Sequence, residues 1–231
     1  RRRRPQDQIY LEMPVASGGL APLGAIVCLL AAALALARGW RAARWLVVAG
    51  IFLLAGALAA RGVHLGYWPL TSSYEFALAF ALSLSLFALI VSGRNRDPGA
   101  DDTVIEAVTL TVAAGLVAYA RLGMPPFKRE IQLLPPALHS TWLPLHVGSA
   151  ALSYGALALA GVAGLVWLLR KPGRTRARWF QDGAIAWGYP LLTLSLIFGM
   201  IWAQVAWGRY WGWDLKETWT LITWLVYTFY W

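Results

Sequence analysis

The stretch 142-WLPLHVGSAALSYGALALAGVAGLVWLL-169 decides the fold. It contains no Asp, Glu, Lys or Arg, and it exceeds the roughly 20 apolar residues that a helix needs to cross a bilayer. A buried helix of a soluble domain has no need of such length. Working outward, comparable apolar runs occupy roughly 18–37, 45–60, 74–92, 103–120 and 183–206, with a shorter final run from 218. The sequence therefore predicts an all-α, polytopic transmembrane bundle of about seven spans. Lipid offers no partners for backbone N–H and C=O groups, so each span must be helical, and the alternating pattern of a barrel strand is absent.

The final run, from Thr218 to Trp231, gives about 21 Å of helix against a hydrocarbon core of about 30 Å, so this span is expected to be truncated. The chain also opens on Arg1 rather than Met. Both ends read as limits of a fragment or of a processed form, with 1–17 an N-terminal extension and 18–231 a single transmembrane domain.

Composition supports the membrane assignment. Hydrophobic residues make up 59% and charged residues 13%, whereas soluble domains carry about 25% charged residues. The net charge of +9 does not signal nucleic acid, because the basic residues form short clusters between apolar runs rather than one footprint. A single cysteine, Cys28, excludes an internal disulfide and a CxxC motif, and with them thiol chemistry by this chain. In mid-span it reads as a small apolar filler.

Orientation follows from Lys and Arg, which are retained on the cytoplasmic side. Loops 38–44, 93–102 and 170–182 hold ten: Arg38, Arg41, Arg44, Arg94, Arg96, Arg170, Lys171, Arg174, Arg176 and Arg178. The opposite set holds six, Arg61, Arg121, Lys128, Arg129, Arg209 and Lys216, and defines the outer side. Arg1 to Arg4 run against this count.

The three histidines, His64, His139 and His146, fall at the outer ends of spans, as does the densest aromatic cluster. Seven of the 14 tryptophans lie between Trp202 and Trp231. An interfacial belt explains one or two per helix end. It does not explain WGRYWGWD, where Trp207, Tyr210, Trp211 and Trp213 share one loop with Gly208 and Gly212. Flat side chains on a permissive backbone suit a large planar apolar ligand such as haem, a quinone or a sterol. Arg209 and Lys216 are placed to pair with carboxylates such as haem propionates, or with lipid phosphates.

Asp214 and Glu217 have the spacing of a capping box, which favours a structural role over a catalytic one. His146 follows the N-cap candidates Ser140 and Thr141 and the first-turn Pro144, about one turn inside the span. An ionisable group there usually has a partner or a ligand. A hydrogen-bonded structural histidine is one reading; the Trp-rich loop on the same side favours the other, an axial ligand for haem iron. His139 reads as a solvated or interfacial loop histidine; for His64 a second ligand and an interface residue are both open, with the latter favoured. Glu75 and Tyr74, opening the third span, and Glu106, near the inner end of the fourth, lie close enough to an interface to need no special role.

These residues resemble a known family. WAQVAWGRYWGWDLKETWTLITWLVY, from Trp202 to Tyr227, is similar to the WWD signature of the CcsA (ResC) type of System II cytochrome c biogenesis proteins. PALHSTWLPLHVGSAALSYGALA, from Pro136 to Ala158, resembles the segment carrying that family's outward-facing histidine, and WPLTSSYE, from Trp68 to Glu75, resembles its early WPLSNxYE-like stretch. Lys216-Glu217-Thr218 after the aspartate favours System II over the related System I proteins. Departures are His139 where Gln is common, Tyr67 where a Gly-His pair is frequent, and Leu215 in place of a frequent Pro.

The resemblance implies a membrane component of a cytochrome c synthase, or haem lyase, in a bacterial cytoplasmic or thylakoid membrane. Such a protein moves haem b to the outer face and presents it for thioether attachment to the CxxCH motif of apocytochrome c. It implies His146 as an axial ligand. Trp207, Gly208, Tyr210, Trp211, Trp213, Asp214, Lys216, Glu217 and Trp219 match the haem-presenting loop, with Arg209 flanking. The family's further histidines are expected after Trp231, and a CcsB/ResB-type subunit with a large outer domain is the expected partner. Two rivals remain at this stage. A b-type electron carrier predicts paired histidines at matching depth, and an apolar-metabolite transporter predicts broken helices around a midplane site.

Overall fold

The computed structural model describes residues 19–93, 100–129, 138–169 and 175–230. Its helices are α1 (Leu20–Arg38), α2 (Trp40–Leu65), α3 (Ser73–Gly93), α4 (Ala100–Ala118), a short α5 (Pro126–Arg129), α6 (Trp142–Leu169), α7 (Thr175–Trp207) and α8 (Leu215–Tyr230). A π-helical turn, Tyr119–Gly123, extends α4. The expected all-α polytopic bundle is present. The N-terminal extension, Arg94, Arg96, Arg170, Lys171, Arg174, Pro135 and Pro136 lie outside the described residues.

Among the described residues six helices are long and apolar enough to cross a membrane, not seven. The expected seventh is helical, but α8 spans 16 residues, about 24 Å at 1.5 Å per residue against a core of about 30 Å.

The hairpin α1–α2 turns on one residue. Gly39 takes φ 85°, the left-handed side of backbone space, and its N–H closes α1 by bonding the Ala35 carbonyl at 2.8 Å. In that hairpin α1 rests on α4 and α2 on α3, α3 stands between α4 and α6, and α6 and α7 form the most extensive pairing. Membrane helices gain little from expelling water, so close backbone approach does much of the work. At the α3–α6 crossing a Cβ on Gly155 would lie 2.0 Å from Ser83 Oγ, and that hydroxyl donates to the Leu152 carbonyl at 3.1 Å. At the α6–α7 crossing a Cβ on Gly188 would meet Leu157 at 2.5 Å, while Ser153 Oγ donates to the Gly188 carbonyl at 2.9 Å. Cys28 is the expected filler: it is buried, and a Cβ on Gly50 would stand 3.1 Å from its sulfur.

Two carboxylates differ from expectation. Glu75 is 1% exposed and pairs with the equally enclosed Arg61 at 3.0 Å. Its other oxygen accepts from the N–H groups of Thr71 and Ser72 at 2.9 and 3.0 Å. The Glu75 N–H in turn donates to Ser72 Oγ at 3.2 Å, which completes a reciprocal cap on α3. The Arg61 guanidinium also covers the Tyr74 ring and donates to the Arg129 carbonyl. One arginine thus joins the end of α2, the start of α3 and α5. Glu106 is likewise fully buried, because α4 begins at Ala100 and carries residue 106 nearly two turns into the bundle.

Candidate functional site

Antiparallel crossing brings the start of α6, the end of α7 and the start of α8 to one end of the bundle. Ser140 marks the entry to α6, its hydroxyl accepting from the Trp142 N–H at 3.3 Å. His146 follows one turn later and faces α7. Its Nδ1 lies 2.9 Å from the Ser195 carbonyl oxygen and 3.3 Å from Ser195 Oγ. A carbonyl only accepts, so Nδ1 carries the proton and Nε2 holds the lone pair of the neutral ring. Trp202, two turns beyond Ser195, stacks on the imidazole at 6.1 Å and 9°.

Helix α7 ends at Trp207, which meets Trp202 edge to face with ring centroids 4.6 Å apart. Gly208 then adopts φ 72° and Trp213 φ 56°. Left-handed backbone is strained for a bulky residue such as Trp213. The loop is tied down by Glu217, whose Oε2 accepts from the N–H groups of Gly212 at 2.7 Å and Asp214 at 3.3 Å. Asp214 Oδ1 accepts from the Glu217 N–H at 2.8 Å. The capping box read from the sequence is therefore formed, with Gly212 added to it. Trp211 and Trp213 pack edge to face within the loop.

Between the loop and the helices lies a cavity of about 450 Å³, within the roughly 300–1,000 Å³ of small-molecule and cofactor sites. His146, Trp207, Tyr210, Trp211, Asp214, Lys216 and Glu217 all line it. Gly208, Arg209, Trp213 and Trp219 do not. Trp219 faces a shallower groove beside Tyr154 and Leu192, and Arg209 folds over Gly212, where an added Cβ would lie 3.0 Å from its guanidinium carbon. Of the two flanking cations, Lys216 is the one on the cavity. His64 and His139 are exposed, away from this lining.

The lining also includes residues that the sequence did not single out as a site: Phe76, Tyr154, Ser195, Gly199 and Trp202. A signal was present. Ser195, Gly199 and Trp202 repeat at i, i+4 and i+7 on one face of α7, and His146, Ala150 and Tyr154 at i, i+4 and i+8 on α6. The arrangement offers an imidazole whose Nε2 has no partner among the described residues, several aromatic faces, an ammonium group and the Trp211 indole N–H, buried without an acceptor. Such a set suits a flat, metal-bearing ligand with acidic substituents.

Residues 70–231 match the family model described as cytochrome C assembly protein. The chain is a CcsA-type member of that family. It is 30% identical over 203 residues to the cytochrome c biogenesis protein CcsA of Guillardia theta, an alignment covering 75% of this chain and 66% of the relative. Against CcsA of Thermosynechococcus vestitus it is 29% identical over 227 residues, with 77% and 70% covered. Against CcsA of Synechococcus elongatus it is 30% identical over 236 residues, with the same coverage. The chain spans about two thirds of the length of these relatives. The matched region contains α6, α7, α8 and the whole cavity.

Proposed function

We propose that this CcsA-type chain serves cytochrome c biogenesis by holding haem b at the outer face of the membrane. The observation that carries the proposal is the His146 ring, stacked on Trp202 with Nε2 unpartnered, in one cavity with Trp207, Tyr210 and Trp211. His146 Nε2 would hold the haem iron, the indole and phenol faces would cover the macrocycle, and Lys216 would pair with a propionate. The Trp211 N–H, which lacks an acceptor among the described residues, is a natural donor to a second acidic oxygen. Gly208 supplies the turn out of α7, and Asp214 with Glu217 fixes the loop on α8. Arg209, Trp213 and Trp219 stand outside the lining and shape the loop's outer surface.

Haem as cargo supplies the vinyl groups to which the two thiols of a CxxCH segment become joined as thioethers. The residues of this chain position. Held reactants avoid an entropic barrier of up to about 7–11 kcal/mol, and the apocytochrome with a CcsB/ResB-type subunit completes the assembly. The ten basic residues of loops 38–44, 93–102 and 170–182 support an orientation with the other end of the bundle in the cytoplasm and the Trp loop facing the periplasm or thylakoid lumen. The test is the absorption spectrum of the purified protein with and without His146, beside the yield of holocytochrome c in the same cells. A haem band and cytochrome yield that both fall in His146→Ala support the proposal; an unchanged spectrum and yield reject it.

A further inference from the structure

The histidine is held from behind by a glycine. The imidazole lays its Nδ1–Cε1 edge on Gly199 so closely that a Cβ there would lie 2.8 Å from Nδ1 and 2.9 Å from Cε1. One turn earlier on the same helix face, Ser195 is 3% exposed, and its carbonyl takes the Nδ1 proton. Within α6, Ser149 Oγ donates back to the carbonyls of Leu145 and His146 at 2.7 and 3.0 Å. The Trp202 plane closes a further side. Backbone, hydroxyl and indole thus meet the ring at its Nδ1–Cε1 edge and on one face, and His146 itself lines the cavity.

We infer that Gly199 and the Ser195 carbonyl are positioning elements that lock His146 in the Nδ1-protonated tautomer and aim Nε2 into the cavity. Gly199 supplies the clearance and Ser195 the acceptor. An imidazole that donates its second N–H to a carbonyl is fixed in orientation and becomes a more basic ligand through its other nitrogen. Any side chain at 199 displaces the ring from Ser195, breaking the lock while the ligand residue itself remains. The spacing also explains why a small residue stands within an otherwise bulky stretch, Leu196 to Trp202, of the helix face that lines the cavity.

The inference rests on His146 being an iron ligand, and two measurements separate the two claims. The first uses the ligand-free protein with ¹⁵N-labelled histidine. With only three histidines in the chain, long-range ¹H–¹⁵N spectra assign each tautomer, and His146→Gly identifies its signals. The expected result is a proton on Nδ1 and none on Nε2; a proton on Nε2 overturns the inference and leaves the haem proposal standing. The second loads haem into the wild type, Gly199→Ala and His146→Gly. Gly199→Ala is expected to raise the haem dissociation constant on the order of 10–100-fold, as loss of an outer-shell contact does, and to move the spectrum from low spin toward high spin. His146→Gly is expected to lose the low-spin spectrum and regain it with added imidazole. Wild-type retention and spectrum in Gly199→Ala overturn the positioning role. An unaltered spectrum in His146→Gly overturns ligation itself. If Gly199→Ala does not fold, the tautomer of the wild type still decides.

Discussion

Arg61 and Glu75 face each other at 3.0 Å with each side chain 2% exposed, an ion pair sealed inside the protein between α2 and α3. Removing one partner of such a pair leaves an uncompensated charge, at about 3–5 kcal/mol. Glu75→Gln and Arg61→Met are each expected to lower the thermal midpoint in detergent. The double change Arg61→Met with Glu75→Gln should cost less than the sum of the two, read as a double-mutant cycle. Equal additive losses would show that the pair contributes no coupling.

The α3–α6 crossing permits a sharper contrast. Gly155→Ala drives a methyl group to within 2.0 Å of Ser83 Oγ, and overpacking of this kind costs about 1–3 kcal/mol. Gly115→Ala on α4 meets nothing within 4 Å and gains up to about 1 kcal/mol of helix propensity. Unfolding curves of the two variants should move in opposite directions.

At the head of α8, Asp214→Asn keeps an acceptor for the Glu217 N–H, whereas Asp214→Ala removes it at about 0.5–2 kcal/mol. Glu217→Ala releases both Gly212 and Asp214. Amide exchange over 208–218 should therefore rise least in Asp214→Asn and most in Glu217→Ala.

The two cations beside the loop should separate cleanly. Lys216 borders the cavity, while Arg209 lies over Gly212. Lys216→Glu is expected to reduce haem recovered with the purified protein several-fold, and Arg209→Gln to leave most of it. Haem extraction and quantification from both variants checks this.

The helices were legible because lipid imposes a length and a polarity on each span. The Asp214–Glu217 cap and the place of His146 were legible because both depend on residues close in the chain. Glu75 was partly legible: Ser72 stands three residues before it, the same capping spacing, yet its partner Arg61 comes from another helix and no local pattern announces it. Ser195 and Gly199 matter only because α7 packs on α6; their i, i+4 spacing marks a shared helix face but not which helix that face meets. Arg209 and Lys216 looked equivalent in sequence. The path of a loop through two left-handed residues sets them apart.

Helix α8 has no buried residue. It is moored to α7 by side-chain bonds from Trp224 to Thr193 at 2.9 Å, from Tyr230 to Asp182 at 2.7 Å, and between Tyr189 and Thr228 at 2.9 Å. The floor of the cavity, α6 against α7, is interlocked by glycine contacts along its length, so the two walls differ in local stability. Detaching the upper wall breaks a handful of hydrogen bonds and frees Trp224 and Tyr227 from the core edge; parting the lower one dismantles the bundle.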